Sequence, residues 1–441
     1  MNEQIGQFEN IKFNISEFIK HRSEQLTPEM LKIYQELHEN PELGGEEFET
    51  AQRIINFLKT QKIKIVAEGI GGTGVIAVVE GKKEGPTIAL RADIDALPID
   101  EDESHEPRSK KKGVMHACGH DLHTSGLLGA SIIIKEISDK GELQGNVLLI
   151  FQPSEEKAHQ KESGAIKIIK YLEKSGLRDN IDAFIGMHVS SDLQRGEVFT
   201  KEGVFLPSSG EIDIELKGPG GSIINAYNDP NLDLIFSELT VRLNKLFKPM
   251  AKTGKALVAT AGPDKRMDAY NVLLQSQKKT WVVRVFSEDY KKDSNEICTL
   301  IKREVKDVVD RHLAEIDKEG GVDIEVKRRP GYRPVVHRDS QLVDVAKKSV
   351  KEVIDDYYFR DDMKIFAGED FSFYLESLRQ KRINGIYMAV GAANSKKALE
   401  TGPLHSSNMK VDNEVVRDLS SIYAQFAVNA IEHYNILKEK I

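Results

Sequence analysis

Apolar and polar positions along the chain fall into two rhythms. Between residues 26 and 60 the apolar side chains recur at helical spacing, Leu31, Ile33, Tyr34 and Leu37, then Ile54, Ile55 and Leu58. Asn40-Pro41 and Gly44-Gly45 interrupt them, so the pattern predicts two helices joined by a loop at 39–47. Short β-branched runs follow: KIKIVAE, GVIAVVE, TIALRAD, NVLLIFQ and DAFIGMHV. Several are apolar at nearly every position, the pattern of strands covered on both faces. Helical segments at 123–138 and 162–175 separate the later strands, the second ended by Gly176. Together these predict a layered α/β domain.

From residue 210 the rhythm changes. EIDIELKG alternates with period two, residues 231–247 are helical in spacing, and ALVATAG and KTWVVRVFS read as strands. A long helix from about 294 to 318 and a last strand, VDIEVKR, complete the order β-α-β-β-α-β, the ferredoxin-like arrangement. After Pro330 and Pro334 the first rhythm returns, with helices at 340–355 and 413–437, a loop carrying GEDFSF and a strand at GIYMAVG. The expected architecture is therefore α/β with two domains. Residues 1–209 and 330–441 form the larger one, and residues 210–329 form a smaller one inserted into it.

Composition narrows the function classes. A chain of 441 residues with 40% apolar content can fill substantial cores, which argues against disorder. The net charge is −8 with basic residues scattered among acidic ones, so neither nucleic acid nor an anionic membrane is expected as a partner. The opening stretch, MNEQIGQFENIKFNISEFIK, lacks the basic-then-apolar pattern of a secretory leader. No run approaches the roughly 18 apolar residues of a membrane span. Cys118 and Cys298 carry no disulfide framework, which suits a cytoplasmic location. GIGGTG at 69–74 fits a dinucleotide-binding fingerprint, but the strand-like VIAVVEGKK follows it where a helix should open. A hairpin turn is the better reading.

The stretch HACGHDLHTS at 116–125 concentrates candidate chemistry. It can be read as a metal site, a thiol nucleophile or a polar loop. Cys118, His120 and His123 are of the residue types that hold zinc and its neighbours. Other donors end apolar strands or sit in loops: Glu155 and Glu156 in FQPSEE, His188 in GMHVS, His405 in GPLHSSN. In open α/β sheets ligands collect beyond the carboxyl ends of strands, so these donors favour one shared site. A Cys118 nucleophile could take His120 or His123 as its base, yet would leave the paired glutamates and the two further histidines unexplained. Cys298 reads as a small buried helix residue. His21, His38, His159, His312, His337 and His433 read as solvated or packed.

Seven segments in order, HENPELGGEEFET, RADIDALPIDE, GVMHACGHDLHTSG, FQPSEE, GMHV, GEDFSFY and PLHSSN, carry a resemblance to a known family. The chain resembles the amidohydrolase branch of the dinuclear-metal aminoacylase and carboxypeptidase superfamily, which contains hippurate hydrolases and indole-acetyl-amino-acid hydrolases. The resemblance implies that Cys118, His120, Glu156, His188 and His405 hold two divalent metal ions. Zinc is expected, and manganese, cobalt or nickel suit the same donors. It implies that Glu155 is the general base and that Asp95 orients a ligand histidine. His116, His123, Glu369 and Asp370 are implied in supporting roles, and Asn271 and Arg284 in substrate binding, Arg284 being suited to a carboxylate. The implied activity is cleavage of the amide bond of an N-acyl amino acid or short peptide by a metal-activated water. The small domain is implied to be a lid that closes over the metals and to form a homodimer.

The match weakens in the small domain. Relatives carry Gly-Gly-His-Ala and a Pro-His pair there, and this chain has GPGGSIINAYNDP, with Ser222 at the histidine's place and Leu274 where a proline usually stands. The missing histidine is implied to stabilise the oxyanion. A catalytically impaired, ligand-binding homologue is therefore the alternative expectation.

Overall fold

The computed structural model describes residues 13–157, 163–261, 271–379, 384–393 and 402–439. Helix α1 spans Ile15–Glu39, starting well before the predicted position, and Asn14 caps it by accepting the Glu17 N–H at 3.2 Å. Pro28 lies inside it. A proline there forfeits one backbone hydrogen bond, and the inward stripe of Ile19, Leu26, Met30 and Leu37 keeps the helix continuous across it. Helix α2 (Phe48–Thr60) follows, then strands β1 (Lys64–Ile70), β2 (Gly74–Glu80) and β3 (Lys83–Asp93). The GIGGTG segment is the turn between β1 and β2, which pair antiparallel. Helix α3 (His120–Asp139), strand β4 (Gln144–Gln152), helix α4 (Gly164–Lys174), strand β5 (Ile181–Gln194) and a short strand β6 (Glu197–Phe199) complete this part.

The next segment is a compact unit: β7 (Ser208–Lys217), α5 (Leu232–Lys252), β8 (Ala256–Ala261), β9 (Ser276–Val285), α6 (Tyr290–Glu315) and β10 (Asp323–Pro330). Its four strands lie antiparallel in the order β8-β9-β7-β10. Ile212, Ile214 and Leu216 of β7 and Trp281, Val283 and Val285 of β9 pack with residues of α5 and α6 in one core. Period-two alternation then turns Glu211, Thr280 and Arg284 to the opposite face of the sheet.

The chain returns through α7 (Ser340–Val353), a short strand β11 (Tyr358–Arg360), α8 (Phe371–Arg379), β12 (Asn384–Ala393) and α9 (Val415–Glu439). The large sheet has the order β1-β2-β4-β3-β5-β12-β6-β11. Strands β4, β3, β5 and β12 run parallel to their neighbours within that group, and antiparallel pairs flank it, so the sheet is mixed. The near-continuous apolar runs of the sequence are explained by helices on both faces. Ile88, Leu90 and Ala92 of β3 join a core with α1, α2, α3, α7 and α9, and Ala89 joins another with α4 and α8. The two passages between the compact unit and the rest of the chain are bonded to each other. Ser209 N–H donates to Tyr332 O at 2.8 Å and Gly331 N–H donates to Ser209 O at 3.0 Å.

Candidate metal centre

The parallel strands deliver the predicted donors to one end of the large sheet, where ligands collect in such folds. Beyond β3 lies Asp95; beyond β4 lie Glu155 and Glu156; His188 sits on β5 past the point where its pairing with β3 ends at Gly186. Cys118 and His120 flank Gly119, which has φ +87° and whose missing Cβ would come 2.4 Å from Val189 Cγ2. Only glycine fits there, and its left-handed turn opens α3 with Cys118 and His120 on the same side. His405 comes from the loop before α9, tied down by its N–H donating to Ala117 O at 2.7 Å.

The five predicted metal donors converge. Cys118 Sγ lies 3.2 Å from His188 Nε2 and 3.1 Å from His405 Nε2, and His405 Nε2 lies 3.2 Å from Glu156 Oε1. His120 Nε2 is 4.0 Å from the same oxygen. Cys118, His120 and His188 form one triplet with donor atoms within 4.8 Å, and Cys118, Glu156 and His405 form another. They share the thiol sulfur, which is the arrangement two neighbouring ions would need.

The surroundings fix which atoms point inward. His120 Nδ1 donates to Asp95 O at 2.9 Å, with Asp95 Oδ1 at 3.3 Å, so Nε2 carries the lone pair toward the cluster. His188 Nδ1 donates to Val189 O at 2.6 Å, with the same consequence. Asp95 Oδ2 accepts the Glu156 N–H at 2.9 Å, so Asp95 braces two donors. His120 Nε2 and Glu156 Oε1 are buried without a hydrogen-bond partner. Orphaned acceptors facing a thiol and two further imidazoles fit a divalent cation.

The surrounding carboxylates favour a proton on His120, which a bound cation would have to displace. Burial opposes charge on His120, yet Asp93, Asp95 and Glu156 outweigh it and push the imidazole up to about 10. Burial pulls His188 down to about 3, leaving it neutral, and pushes the Cys118 thiol up, with Glu156 and Glu155 adding to the effect. Glu155 is held well above the carboxylate range, first by burial and then by Glu369, Glu156 and Asp370.

Among the histidines read as supporting, His123 donates from Nδ1 to Asp93 Oδ1 at 2.5 Å and accepts the Val189 N–H on Nε2 at 2.9 Å. Both nitrogens are committed, so it orders its neighbours. His116 is buried, and burial lowers it to about 4. His38 is packed between Glu101 (2.8 Å) and Asp121 (2.7 Å), and His159 lies outside the described residues.

Beneath the donors lies a charge network that sequence reasoning missed. Arg91, fully buried, reaches Asp93 at 2.6 Å, Glu369 at 3.1 Å, Asp370 at 3.0 Å and Gln152 at 3.0 Å. Tyr387 donates its hydroxyl to Glu369, and Ser163 donates to Asp370 at 2.7 Å. Arg91 thus ties the end of β3 to the GEDF segment beneath the donors. A charged residue inside an otherwise apolar strand end was the available signal. Tyr332, also missed, donates its hydroxyl to Glu155 O at 2.7 Å from the passage joining the two units.

A cavity of about 810 Å³ opens beside the donors, lined on one side by Cys118, Glu155 and His405 and on the other by Thr280, Arg284 and Arg329 of the small sheet. Arg284 is anchored by Nε donating to Phe366 O and Nη1 to Val283 O, both at 3.2 Å. Asn271 is not in this lining: it is exposed, beside the two-residue pairing of Gly221–Ser222 with Val272–Leu273. Ser222 is exposed there too. The expectation that Asn271 joins Arg284 at the substrate is therefore not met within one chain, because the pairing holds it on the outer surface of the small unit.

Known proteins give the comparison. The chain is 33% identical over 356 residues to N-acetyl-L-cysteine deacetylase of Bacillus subtilis (strain 168), covering 80% of this chain and 79% of that protein. It is 32% identical over 398 residues to IAA-amino acid hydrolase ILR1-like 4 of Arabidopsis thaliana, covering 90% and 84%. The solved structure of the Bacillus subtilis YXEP protein, a dinuclear metal binding peptidase, superposes with a TM-score of 0.70 at 28% identity, covering 93% of this chain and 99% of that one. The profile of peptidase family M20/M25/M40 matches residues 89–429, a span that takes in every donor of the centre, and the chain belongs to that family.

Proposed function

We propose that the protein is a metal-dependent amidohydrolase that cleaves the amide bond of N-acyl amino acids or short peptides. The observation that carries this reading is the pair of donor triplets sharing Cys118, set beside Glu155 in a cavity that also holds Arg284. Cys118, His120, Glu156, His188 and His405 would hold two divalent ions, with zinc, manganese, cobalt and nickel all suited to the donors. Such ions supply Lewis acidity that activates water and polarises a carbonyl.

The chain's own residues supply the rest. Glu155, whose carboxyl favours a proton more than an exposed glutamate does, takes the proton of the attacking water and returns it to the departing nitrogen. Asp95 keeps His120 and the Glu156 peptide in place. Arg284 meets the substrate carboxylate with a guanidinium already fixed by two carbonyls, so little is lost in ordering it. Residues 210–329 act as a ferredoxin-like lid and dimerisation domain on the remainder, 1–209 and 330–441. The βαββαβ order supports this, as do Ile223, Ile224, Tyr227, Leu234 and Val241, apolar and exposed on that unit. In a homodimer Asn271 would serve the partner's site. The location read from the free cysteines is cytoplasmic; no helix among the described residues is long and apolar enough to cross a membrane.

The test is amine release from a panel of N-acyl amino acids and dipeptides by protein reconstituted with zinc, manganese or cobalt. Glu155→Gln should lower kcat at least about 100-fold. Protein that holds two ions and releases no amine from any of the panel would refute the reading. Sedimentation at micromolar concentration checks the dimer, which a purely monomeric boundary would contradict.

A further inference from the structure

Two sequence segments have no part in the chemistry so far: HENPELGGEEFET and the GIGGTG turn. The fold brings them together behind the tandem glutamates. Ser154, the residue before Glu155, has φ +52°, a left-handed conformation that side-chain-bearing residues rarely adopt. Its N–H donates to Glu47 Oε1 at 2.8 Å, and Glu47 Oε2 accepts the Thr73 hydroxyl at 2.6 Å. Glu47 is fully enclosed, Ser154 is fully enclosed, and Thr73 is buried. Just upstream, Gly44 lets the backbone pass so close that a Cβ there would sit 3.1 Å from Ser154 Cα and 3.0 Å from Asp95 Oδ2. The same segment bonds the Asp95 turn, Ala96 N–H donating to Glu42 O at 2.8 Å.

We propose that Glu47, with Thr73 behind it, is a positioning residue: it holds the Ser154 peptide in its left-handed turn and so sets the aim of Glu155 and Glu156. The inference rests on the roles given to those two glutamates in the proposed function. Its physical basis is a chain of constraints. A turn at positive φ persists only where its surroundings over-determine it. Here the Ser154 N–H is held by Glu47, Ser154 O accepts Gly164 N–H at 3.2 Å, Glu155 O accepts the Tyr332 hydroxyl, and Glu156 N–H is held by Asp95. Glu47 supplies the side-chain clamp at the residue whose conformation is strained, holding its N–H while Gly164 holds its carbonyl. Without it Ser154 relaxes toward negative φ, and both carboxylates swing.

The experiment compares Glu47→Ala, Glu47→Gln and the double variant Glu47→Ala/Ser154→Gly, each loaded with cobalt(II). Displacing a reacting group by about 1 Å costs on the order of 100-fold, so Glu47→Ala should lose about that much in kcat with KM within about threefold. Its cobalt absorption bands should shift as Glu156 moves relative to Cys118. Glycine adopts positive φ without an anchor, so the double variant should regain about tenfold in kcat. Thr73→Ser should retain more kcat than Thr73→Val. If Glu47→Ala does not fold, Glu47→Gln, which keeps one acceptor for Ser154 but loses the charge, should show a smaller spectral shift in the same direction with a smaller kcat loss, and Thr73→Val should add to it. An unchanged cobalt spectrum and kcat, or a loss that falls on KM alone, or no recovery in the double variant, would overturn the proposal. If the unaltered protein turns over no substrate, the proposed function falls, and the cobalt spectra still decide the positioning role.

Discussion

Replacing Arg91 by methionine would remove the guanidinium that bridges Asp93, Glu369 and Asp370 while keeping most of its volume. The arginine is 0% exposed, as are Asp93 and Asp370, so no water can take over its role. Breaking a buried ion pair by deleting one partner costs roughly 3–5 kcal/mol. For a chain of 441 residues unfolding together, an entropy of about 0.9 kcal/mol/K converts that into a Tm lowered by roughly 3–6 °C. The loss must also depend on pH. Burial and Glu369 already raise Asp370 to about 7 against the pull of Arg91. An acid raised on folding costs stability as pH rises from its unfolded value to its folded one. In the variant Asp370 rises further, so its cost keeps growing above pH 7, by about 1.4 kcal/mol for each unit. Asp93, which Arg91 holds below its ordinary value despite burial, gives stability that is present above its unfolded pKa, and the variant forfeits it. The deficit should therefore be smaller at pH 5 than at pH 8. Urea denaturation at both values reads it; a deficit under about 1 kcal/mol, or one that is flat with pH, would refute the account.

Other outcomes follow from the same geometry. His38 opposes its own burial through Asp121 and Glu101, which raise it to about 10. Its contribution is full below pH 6.5 and lost as pH climbs toward 10, so the parent should weaken over that window at about 1.4 kcal/mol per unit, and His38→Gln should be flatter in urea melts. Gly119→Ala would drive a Cβ into Val189 at a positive-φ position; calorimetry should show at least about 2 kcal/mol of destabilisation, with metal content falling in parallel. Chelation should lower Tm, because ions present at about 100 times their Kd add roughly 2.7 kcal/mol. Since Cys118 must shed its proton to ligate and burial raises that thiol, cobalt affinity should climb about tenfold per pH unit below the thiol pKa, read by titration at pH 6, 7 and 8.

The parts of the fold legible in the sequence were those with a local period. The apolar strands, the hairpin at GIGGTG and the long helices all stand close to where their patterns put them. The start of α1 was not legible, because Thr27-Pro28 reads as a break and the tertiary stripe that overrides it involves residues far along the chain. Strands β6 and β11 are three residues each, too short to show alternation. In the site, the donors sit in compact motifs and could be named. Arg91, Asp93, Glu47 and Tyr332 act through partners up to 279 positions away, and no spacing rule reports such a distance. Asn271, singled out by its motif, lies away from the cavity within one chain, and a position that a second copy would have to complete is not legible in a single sequence.

The parallel pairing of β5 with β12 has a consequence for how the protein comes into being. It places two segments side by side that are separated by the whole inserted unit. Arg91 meets Glu369 only across 278 positions, and Cys118 meets His405 across 287. Closing loops of that length is slow and entropically uphill until both ends are present. A nascent chain that has not yet reached the last tenth of its length therefore has a half-lined centre that lacks His405, one of the donors assigned above to the proposed second ion. On the proposed ligand set, full metal loading would mark completion of the chain, since it needs synthesis to have run past the small unit and back into the sheet where it began.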